Sequence, residues 1–459
     1  MTSRIGGRMP AEERDVVIVG GGIAGLTAAL RLRDLSPLVL ELEDRAGGRI
    51  FSRQRGDLAL SVGAHMFPPP DSVVGRLVAE FGLEVMPITG SMLNVFYRGK
   101  LVRDARPELL PFLLPLSTAG RVSFARAGLR LKRDANRYME LIRPRPGDTD
   151  AAIRLRALKH RGDESFTDFL GRLHPDASEI YRAIANRSIA EPEEISQSAM
   201  AALFGHVWDT GDLGRNMRGG SGRLPEALAA SLGDSLRLGA RVREVALDGA
   251  GVRIRYERGD GSAEIKARAA VIAIPSPWIP GLVRDLPSDT AEALSRVTFG
   301  SFVVMSILTG ETEPMPWDDL YSILTPDRSF NMFFNHANFL RSGDAGKQGS
   351  VLMVYAGADR ARALWELDDD AIRGRFLDDL CDIYPQVRGV VAETMLQKWQ
   401  YAGPFAAPGR WRAQEALERG VGDRLFFAGD WVSEFVSMET AARTGVDAAA
   451  AVRRTLGET

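Results

Sequence analysis

The chain has 459 residues, of which 45% are apolar and 26% charged, a balance that indicates a globular protein with a large core and excludes a disordered chain. Its formal net charge of −2 excludes the broad positive field that draws a protein onto nucleic acid, so no nucleic-acid partner is expected. The only cysteine, Cys381, excludes an internal disulfide and a multi-cysteine metal centre, and no metal site is predicted.

The N-terminal residues 1–14 are predicted to form a flexible tail, and they lack the apolar stretch of a secretory signal. The longest apolar run, Leu109 to Leu116, is far shorter than the ~20 residues that a membrane-spanning helix needs. It also contains two prolines. A cytoplasmic location is therefore expected, which the single cysteine also favours.

The first strong pattern is a predicted β-α-β unit, with a strand over 15–20, a helix over 23–33 and a second strand over 37–42. Between the first strand and the helix, the sequence Gly-Gly-Gly-Ile-Ala-Gly at 20–25 satisfies the spacing G-x-G-x-x-G. Because a strand precedes this turn and a helix follows it, the pattern indicates a Rossmann-type dinucleotide site.

Each residue type in this turn has a mechanical reason. Gly20 permits the tight turn, Gly22 lets the backbone approach a pyrophosphate, and Gly25 lets helix and strand pack closely. Ile23 and Ala24 begin the helix, whose N-terminal amides and partial positive charge attract phosphate groups. All five residues are predicted to bind the cofactor.

Glu41 ends the second strand, 21 residues after Gly20, where an acidic side chain can bind a ribose hydroxyl. An acidic residue at this position disfavours the 2′-phosphate of NADP. The glycine pattern does not distinguish NAD from FAD, so downstream residues decide between them.

The residues that follow the second strand have the pattern Glu-x-x-x-Arg-x-Gly-Gly-Arg over 41–49. This segment resembles the flavin amine oxidase superfamily, which includes monoamine oxidases, protoporphyrinogen oxidases and carotenoid desaturases. The resemblance implies non-covalently bound FAD with Arg45, Gly48 and Arg49 against its pyrophosphate. A planar, permanently charged guanidinium suits that role.

Two segments in the middle of the chain extend the resemblance: Gly-Gly-Ser-Gly-Arg-Leu-Pro-Glu-Ala-Leu at 219–228 and Gly-Ala-Arg-Val at 239–242. In the family, the backbone of a valine in the second of these segments binds the adenine edge. The resemblance therefore implies that Val242 has this role.

Near the C-terminus, Phe-Ala-Gly-Asp-Trp at 427–431 leads to Met-Glu-Thr-Ala at 438–441, as in the same family. The resemblance implies that Gly429 and Asp430 lie against the ribityl chain or phosphates. It also implies that Met438 begins a helix near the isoalloxazine ring.

The predicted fold is α/β, a Rossmann-like FAD-binding domain with an inserted substrate domain made of a mixed sheet and a helical insert. Strand patterns fade after Met92 and return after the helical stretch. The FAD-binding domain is assigned to 15–91, 212–298 and 420–459, and the substrate domain to 92–211 and 299–419.

The sequence departs from the amine-specific members at two positions. Many of them carry a lysine that holds a water at flavin N5, whereas the matching strand at 299–308 has Val303 and Val304 near that position. A non-oxygen electron acceptor is therefore favoured. Ser437 stands where amine-specific members have one of two aromatic residues that frame the amine, and the other falls near Phe405. The full aromatic pair is therefore absent, and Trp399 and Phe405 are predicted to line the substrate pocket.

Two histidines complete the predicted catalytic set with Trp399 and Phe405. His65 follows the arginine loop in a segment that passes near the flavin in relatives, and His206 precedes the 219–228 segment. A structural hydrogen-bonding role is the alternative for each histidine.

The segment 121–145 is rich in arginine and follows the apolar run that ends at Leu116. It indicates either a solvated helix face or a peripheral membrane contact that admits a lipophilic substrate. The sequence carries no signal for the number of subunits.

The predicted function is dehydrogenation of a largely apolar small molecule by hydride transfer to FAD, as in a C–C desaturase or a porphyrinogen oxidase. One alternative is an amine oxidase that produces an imine and hydrogen peroxide. Another is a flavin-binding protein without a redox role.

Overall fold

A computed structural model describes most of the chain. The side chains of His206, Val207 and Arg341 are not described. The residues that it describes are 12–207, 214–249, 251–341, 349–433 and 436–458.

The described strands form two seven-stranded sheets and two two-stranded sheets. In chain order they are β1 (Glu12–Val19), β2 (Leu38–Leu40), β3 (Ser52–Arg55), β4 (Leu58–Ser61), β5 (Val85–Pro87), β6 (Asn94–Tyr97), β7 (Lys100–Val102), β8 (Arg215–Met217), β9 (Leu236–Arg237), β10 (Ala240–Asp248), β11 (Gly251–Arg258), β12 (Gly261–Ile272), β13 (Thr298–Thr309), β14 (Ser322–Leu324), β15 (Met332–Asn335), β16 (Val351–Gly357), β17 (Val391–Phe405) and β18 (Leu425–Phe427).

The described α-helices lie between and over these sheets. In chain order they are α1 (Ile23–Arg31), α2 (Val73–Glu80), α3 (Leu110–Leu113), α4 (Thr118–Leu141), α5 (Asp150–Lys159), α6 (Phe166–Leu170), α7 (Pro175–Asn186), α8 (Gln197–Val207), α9 (Arg223–Leu232), α10 (Ile279–Leu282), α11 (Ser288–Ser295), α12 (Asn338–Arg341), α13 (Ala358–Trp365), α14 (Asp369–Ile383), α15 (Val387–Val390), α16 (Gln414–Arg419) and α17 (Met438–Leu456).

The first sheet has the order β10-β11-β12-β1-β2-β9, with β18 also pairing with β12. Its centre is parallel: Val17 lies beside both Ala270 of β12 and Leu38 of β2. The last four residues of β1 are buried, because helices cover one face of the sheet and β-strand and helix side chains cover the other. A parallel strand covered on both faces has the continuous apolar run that the sequence shows there.

Helices α1 and α17 pack closely on the same side of this sheet. A Cβ on Gly445 would lie 2.3 Å from the carbonyl oxygen of Ala24, so only glycine allows the two backbones to come this near. This contact brings the C-terminal segment of the chain next to the N-terminal glycine turn.

The second sheet has the order β17-β13-β16-β15-β14-β6-β7 and is antiparallel except for the pair β14–β6. Side chains along β13 alternate between the two faces, as strand geometry requires. Phe302 and Val304 contact a cluster beneath the helical layer α4, α6, α7 and α8, whereas Val303 and Met305 contact a second cluster under α13 and α14.

The α/β class predicted from the sequence is confirmed, with mixed sheets and many helices. Three strands differ from the sequence-based expectation. Strands β6 and β7 lie within the stretch that was expected to be helical, and they form the outer edge of the second sheet. Strand β17 was not expected and pairs along almost all of β13. The domain boundaries given above remain predictions.

No helix among the described residues is both long enough and apolar enough to cross a membrane.

Candidate active site

The glycine turn between β1 and α1 contains two positions that tolerate no side chain. Gly20 has a φ of +109°, and a Cβ there would lie 2.5 Å from the carbonyl oxygen of Ala273. A Cβ on Gly25 would lie 2.0 Å from the carbonyl oxygen of Gly20. These two glycines are therefore required by the protein itself, for the turn and for helix-to-strand packing.

Gly22 differs, because a Cβ there would meet no atom of the described residues within 4 Å. The facing loop is close: Gly47 donates its N–H to the carbonyl oxygen of Gly21 at 2.8 Å. A Cβ on Gly48 would meet only the Gly22 Cα, at 3.5 Å. The backbone of the turn at Gly20–Gly22 and that of the loop at Gly47 and Gly48 thus border an open space, which we call the cradle.

The first turn of α1 faces this cradle, and its N–H groups have no acceptor among the described residues. Gly22 is its N-cap, no side chain caps the helix, and the first turn contains no acidic residue. Unpaired N–H groups and the positive end of a helix dipole make a favourable phosphate site. Ile23 and Ala24 supply the first two N–H groups of this helix.

Glu41 lies directly after β2 and is held by backbone groups. Its Oε2 accepts a hydrogen bond from Gly21 N at 2.5 Å, and its Oε1 accepts one from Glu43 N at 2.8 Å. Burial raises the pKa of the Glu41 carboxyl above its ordinary value, despite these hydrogen bonds. The segment before Val242 lies alongside, because Ala240 N donates to the carbonyl oxygen of Glu41 at 2.7 Å. The structure therefore places the start of β10, the strand that contains Val242, beside Glu41.

Arg45 is only partly satisfied by protein atoms. Its Nη2 lies 2.8 Å from Glu43 Oε2, and its guanidinium lies 4.1 Å from the centre of the Phe51 ring. Its Nη1 is enclosed and has no hydrogen-bond partner among the described residues. A buried donor without a partner is uncommon and indicates an acceptor from outside the chain, such as a phosphate oxygen.

Arg49 joins three separate parts of the chain. Its Nη2 donates to Asp430 Oδ1 at 2.7 Å and its Nη1 donates to the carbonyl oxygen of Ala402 at 2.9 Å. Its guanidinium also lies 5.9 Å from the centre of the Phe299 ring. Asp430 is almost fully buried, so this ion pair is well shielded from water.

The C-terminal residues are fixed next to this pair. Gly429 has a φ of +145°, and its N–H donates to Thr444 Oγ1 on α17 at 2.9 Å. Met438 is the first residue of α17, and the Ser437 hydroxyl caps this helix by accepting from Thr440 N at 3.0 Å. The side chain of Met438 is buried in the cluster beneath the first sheet.

The cradle, the uncapped α1, the unpaired Arg45 donor and the Arg49–Asp430 pair fit an elongated dinucleotide with a pyrophosphate at its centre. Comparison with known protein families distinguishes FAD from NAD at this site. The sequence profile of flavin-containing amine oxidoreductases matches residues 23–453, which is most of the chain.

The chain belongs to this family.

The predicted family, cofactor and enzyme class are thereby confirmed: this member of the flavin-containing amine oxidoreductases is an FAD-dependent oxidoreductase. The only cysteine, Cys381, packs with the cluster on the α13–α14 face of the second sheet, away from the cradle. This position is consistent with FAD that is bound without a covalent link through cysteine.

Relatives by sequence include enzymes with different names. The chain is 27% identical to the chloroplastic protoporphyrinogen oxidase 1 of Arabidopsis thaliana over 339 residues, which cover 64% of this chain and 58% of that protein. It is 23% identical to an L-amino-acid oxidase of Siganus canaliculatus over 470 residues, which cover 96% of this chain and 85% of that protein.

Among solved structures, the chain is similar to a putrescine oxidase redesigned in its cofactor binding. The TM-score is 0.77 at 20% identity, over 97% of this chain and all (100%) of the other. At this identity the likeness establishes a common fold.

Trp399 and Phe405, two of the predicted catalytic residues, both lie on β17. Trp399 pairs with Phe302 across the sheet, and its Nε1 donates to the carbonyl oxygen of Val62 at 2.6 Å. Phe405 is buried at the end of the strand. Because Val62 N in turn donates to the carbonyl oxygen of Phe51 at 3.0 Å, just after the arginine loop, Trp399 ties the second sheet to the cofactor region.

His65 packs against a histidine that sequence reasoning missed. The ring centres of His65 and His336 are 4.1 Å apart. Nδ1 of His65 lies 3.2 Å from the carbonyl oxygen of Gly63. Its Nε2 and both ring nitrogens of His336 are enclosed, with no hydrogen-bond partner in the part of the chain that the structure describes. Burial lowers the pKa of His65 to about 4, and burial together with the charge of His65 lowers the pKa of His336. Both rings are therefore neutral at pH 7.

His206, the remaining predicted catalytic residue, lies near the end of α8, and its side chain is outside the described part of the chain. Its catalytic role remains a prediction, as do the individual roles of the other site residues.

The second sheet does contain a lysine next to β13, but on the wrong face. Lys398 of β17 pairs with Val303, whose side chain contacts the α13–α14 cluster. Its Nζ donates to the carbonyl oxygen of Leu367 at 2.8 Å and lies 3.5 Å from Asp369 Oδ1. The opposite face, which contacts the helical layer, presents Phe302 and Val304 from β13.

Other residues of the site were not found from the sequence. Glu439 accepts hydrogen bonds from Val73 N and Val74 N at 2.9 and 2.8 Å, so α17 caps the start of α2. The Met-Glu-Thr motif could have indicated Glu439, because it follows Met438 directly. Ala402 contributes only a backbone carbonyl, which has no sequence signal.

Proposed function

We propose that this chain uses its FAD to dehydrogenate a largely apolar small molecule by forming a C=C bond, as in a C–C desaturase or a porphyrinogen oxidase. The observation that supports this proposal most directly is the apolar face of the second sheet that meets the helical layer. Phe302, Val304 and Met353 lie on that face, with Trp399 at its side, and its neighbouring lysine lies on the opposite face.

An apolar, water-poor wall favours a donor that is held by shape and dispersion. Bound FAD would supply the hydride acceptor, so the protein is not required to provide a nucleophile. The tasks of the chain are to place a donor C–H bond near the cofactor and to exclude water. The Trp399–Val62 hydrogen bond serves the first task by fixing the position of Trp399 on β17.

Amine oxidation is the second candidate, and it is favoured by a curated relative. The chain is 28% identical over 280 residues to a putative flavin-containing monoamine oxidase of Mycobacterium tuberculosis. The two candidates differ in donor, since an amine would be oxidised to an imine, and in acceptor, since an oxidase would reduce oxygen to hydrogen peroxide.

The test is an anaerobic visible spectrum of the purified holoprotein, recorded before and after addition of amines, polyenes and porphyrinogens. Bleaching of the flavin bands by polyenes or porphyrinogens, without bleaching by amines, is expected. Bleaching by amines, with peroxide release in air, would overturn the proposal in favour of amine oxidation. A bound flavin that none of these donors reduces would favour a non-redox role.

The same proposal includes a peripheral contact with a membrane surface, in the cytoplasm. Five of the eight large apolar side chains that are exposed in the described part of the chain lie between residues 109 and 129. Phe112 is the most exposed of them, at 68%. Arginines 126, 130, 133 and 137 of α4 are also exposed. Apolar side chains flanked by arginines match an anionic lipid surface in both polarity and charge.

A further inference from the structure

A small polar cavity lies where the segment after β4 meets the second sheet. Its volume is about 30 Å³. The polar side chains that line it are Asp57, Ser61, His65, Asn216, Ser221 and His336. A cavity holds a water molecule when it offers about 10–15 Å³ and two to four polar partners. This cavity therefore has the room and the hydrogen-bonding groups for about two water molecules.

The two histidines that line the cavity have ring nitrogens to spare. Nδ1 of His65 is the nitrogen that carries the proton, because it lies 3.2 Å from the carbonyl oxygen of Gly63 and a carbonyl oxygen can only accept. Nε2 of His65 is therefore a bare lone pair. The neutral ring of His336, centred 4.1 Å from that of His65, has one N–H and one lone pair. These three nitrogens and the Ser221 hydroxyl are enclosed, and within the described ranges none has a hydrogen-bond partner.

His65 is fixed next to the cofactor region. Ala64 N, one residue before it, donates to the carbonyl oxygen of Arg49 at 3.0 Å. A Cβ on Gly63 would lie 2.0 Å from the same oxygen, so the two segments are in direct backbone contact. Arg49 itself pairs with the buried Asp430. The lone pair of His65 is thus held by a segment that packs on the arginine loop.

The same cavity reaches the protein surface at Asp57, in the turn between β3 and β4. The Asp57 side chain is 74% exposed and lies 3.5 Å from Arg218 Nη1. It is the only carboxylate among the described residues that line the cavity. A cavity that holds water and is lined by imidazoles and an exposed carboxylate connects groups that exchange protons with one another and with solvent.

The proposed reaction requires such a connection. Formation of a C=C bond removes one hydrogen of the donor as a hydride, which bound FAD would accept, and the other as a proton. When the second C–H bond breaks, its electron pair forms the new π bond, and its proton needs a base and a way to solvent.

We infer that His65 and His336, together with water in the cavity, accept this proton and conduct it to solvent at Asp57. Nε2 of His65 takes the proton from the donor carbon, and the ring of His336 and the water pass it on. Burial lowers the pKa of both imidazoles, so neither ring retains the proton at neutral pH. The inference rests on the proposed function and adds to it a base and an exit for the proton.

The test uses the FAD holoprotein and a polyene or porphyrinogen that bleaches its flavin in the absence of oxygen. His336→Ala is expected to slow bleaching by at least ~10-fold, because a positioned proton acceptor contributes about 10²- to 10⁴-fold. Added imidazole is expected to restore most of the rate by entering the vacated space. Pyrazole has the same size but is a much weaker base, so it should restore little.

His65→Ala is expected to behave in the same way, and it decides the question if His336→Ala fails to retain FAD, because His65 is only half-buried. His174→Asn is the matched control, since this histidine is the N-cap of α7 and does not line the cavity. It should bleach at the wild-type rate and should not respond to imidazole.

Equal rescue by imidazole and pyrazole would show that the rings only fill space. Wild-type rates in both alanine variants would show that the proton leaves by another route. Either result would overturn the inference and leave the oxidoreductase function standing. A wild-type flavin that neither class of donor bleaches would instead overturn the proposed function, and the inference with it.

Discussion

Arg49 and Asp430 are 381 positions apart in sequence, and their side chains are joined by a hydrogen-bonded ion pair of 2.7 Å. The pair connects the loop after the first β-α-β unit to the segment that precedes the last helix. Both segments are motifs of the flavin-containing amine oxidoreductase family. The ion pair therefore joins the two motifs that border the cofactor region.

Arg49→Gln is expected to weaken FAD binding by roughly 10- to 100-fold, because it removes a guanidinium and leaves the buried Asp430 without its partner. The measurement is the FAD dissociation constant, obtained by titrating apoprotein and following flavin fluorescence. Arg53→Gln, an exposed arginine on β3, is the control and should bind FAD normally. Unchanged affinity in Arg49→Gln would show that the pair has no part in cofactor binding.

The two kinds of glycine in the first turn predict opposite phenotypes. Gly22→Ala should leave the apoprotein as stable as the wild type, because its Cβ meets no protein atom and its φ of −72° suits alanine. It should nevertheless weaken FAD binding, since the methyl group enters the cradle. Gly25→Ala should destabilise the apoprotein by ~1–3 kcal/mol, because its Cβ would overlap the carbonyl oxygen of Gly20.

Chemical unfolding of both apoproteins and FAD titration separate these effects. If Gly22→Ala bound FAD like the wild type, the space beside Gly22 would not be the pyrophosphate site.

Local patterns in the sequence were sufficient for the parallel core of the first sheet and for the glycine turn. The continuous apolar run of β1 and the glycine spacing are properties of neighbouring residues, so they can be read without tertiary information. The C-terminal helix was expected from the resemblance to the family, which implied that it begins at Met438.

Strand β17 was missed because its residues are partly buried on both faces and show no clear alternation between apolar and polar side chains. Strands β6 and β7 have only four and three residues, too few to establish a period of two. Within the site, family motifs supplied Arg49 and Asp430 but not their contact. His336 lies in no motif, and its packing against His65 joins residues that are distant in sequence.

Trp399→Phe is expected to lower the rate of flavin reduction by the donor, expressed as kcat/KM, by roughly 5- to 10-fold. The indole hydrogen bond to Val62 is lost, and a net contribution of ~1 kcal/mol corresponds to about this factor. FAD affinity should not change. Trp411→Phe is a matched control, because it also loses an indole hydrogen bond, to Asp163 at 3.0 Å on the protein surface. An equal loss of rate in both variants would contradict the role of Trp399.

The His65–His336 pair predicts acid sensitivity of the fold. In the unfolded chain each imidazole takes up a proton near pH 6.5, whereas folded His65 stays neutral until about pH 4. The contribution of the neutral pair to folding stability is therefore fully present above pH 6.5. It is lost as the pH decreases from 6.5 towards 4. The slope is ~1.4 kcal/mol per pH unit for each histidine.

Urea unfolding of the wild type and of His336→Asn at pH 7, 6 and 5 tests this prediction. The variant should be less stable at pH 7, because the packing of the His336 ring against His65 and Phe334 is lost. Its stability should nevertheless decrease less steeply as the pH falls. His174→Asn, which keeps an acceptor at the N-cap of α7, should retain the wild-type slope. The prediction fails if His336→Asn and the wild type lose stability in parallel.

The exposed apolar residues next to α4 predict binding to anionic membranes. Phe112→Ser combined with Leu129→Ser should reduce flotation with phosphatidylglycerol vesicles by at least ~10-fold, since burial of each side chain in the lipid interface contributes ~1–3 kcal/mol. Binding of the wild type should also weaken at high salt, because the arginines of α4 act through screened charges.

Leu247→Ser is the matched control, because Leu247 is similarly exposed, at 43%, but lies on β10 of the first sheet. It should float like the wild type. Flotation that depends on salt but not on Phe112 and Leu129 would indicate that the arginines alone attract the lipid and that no apolar side chain enters it.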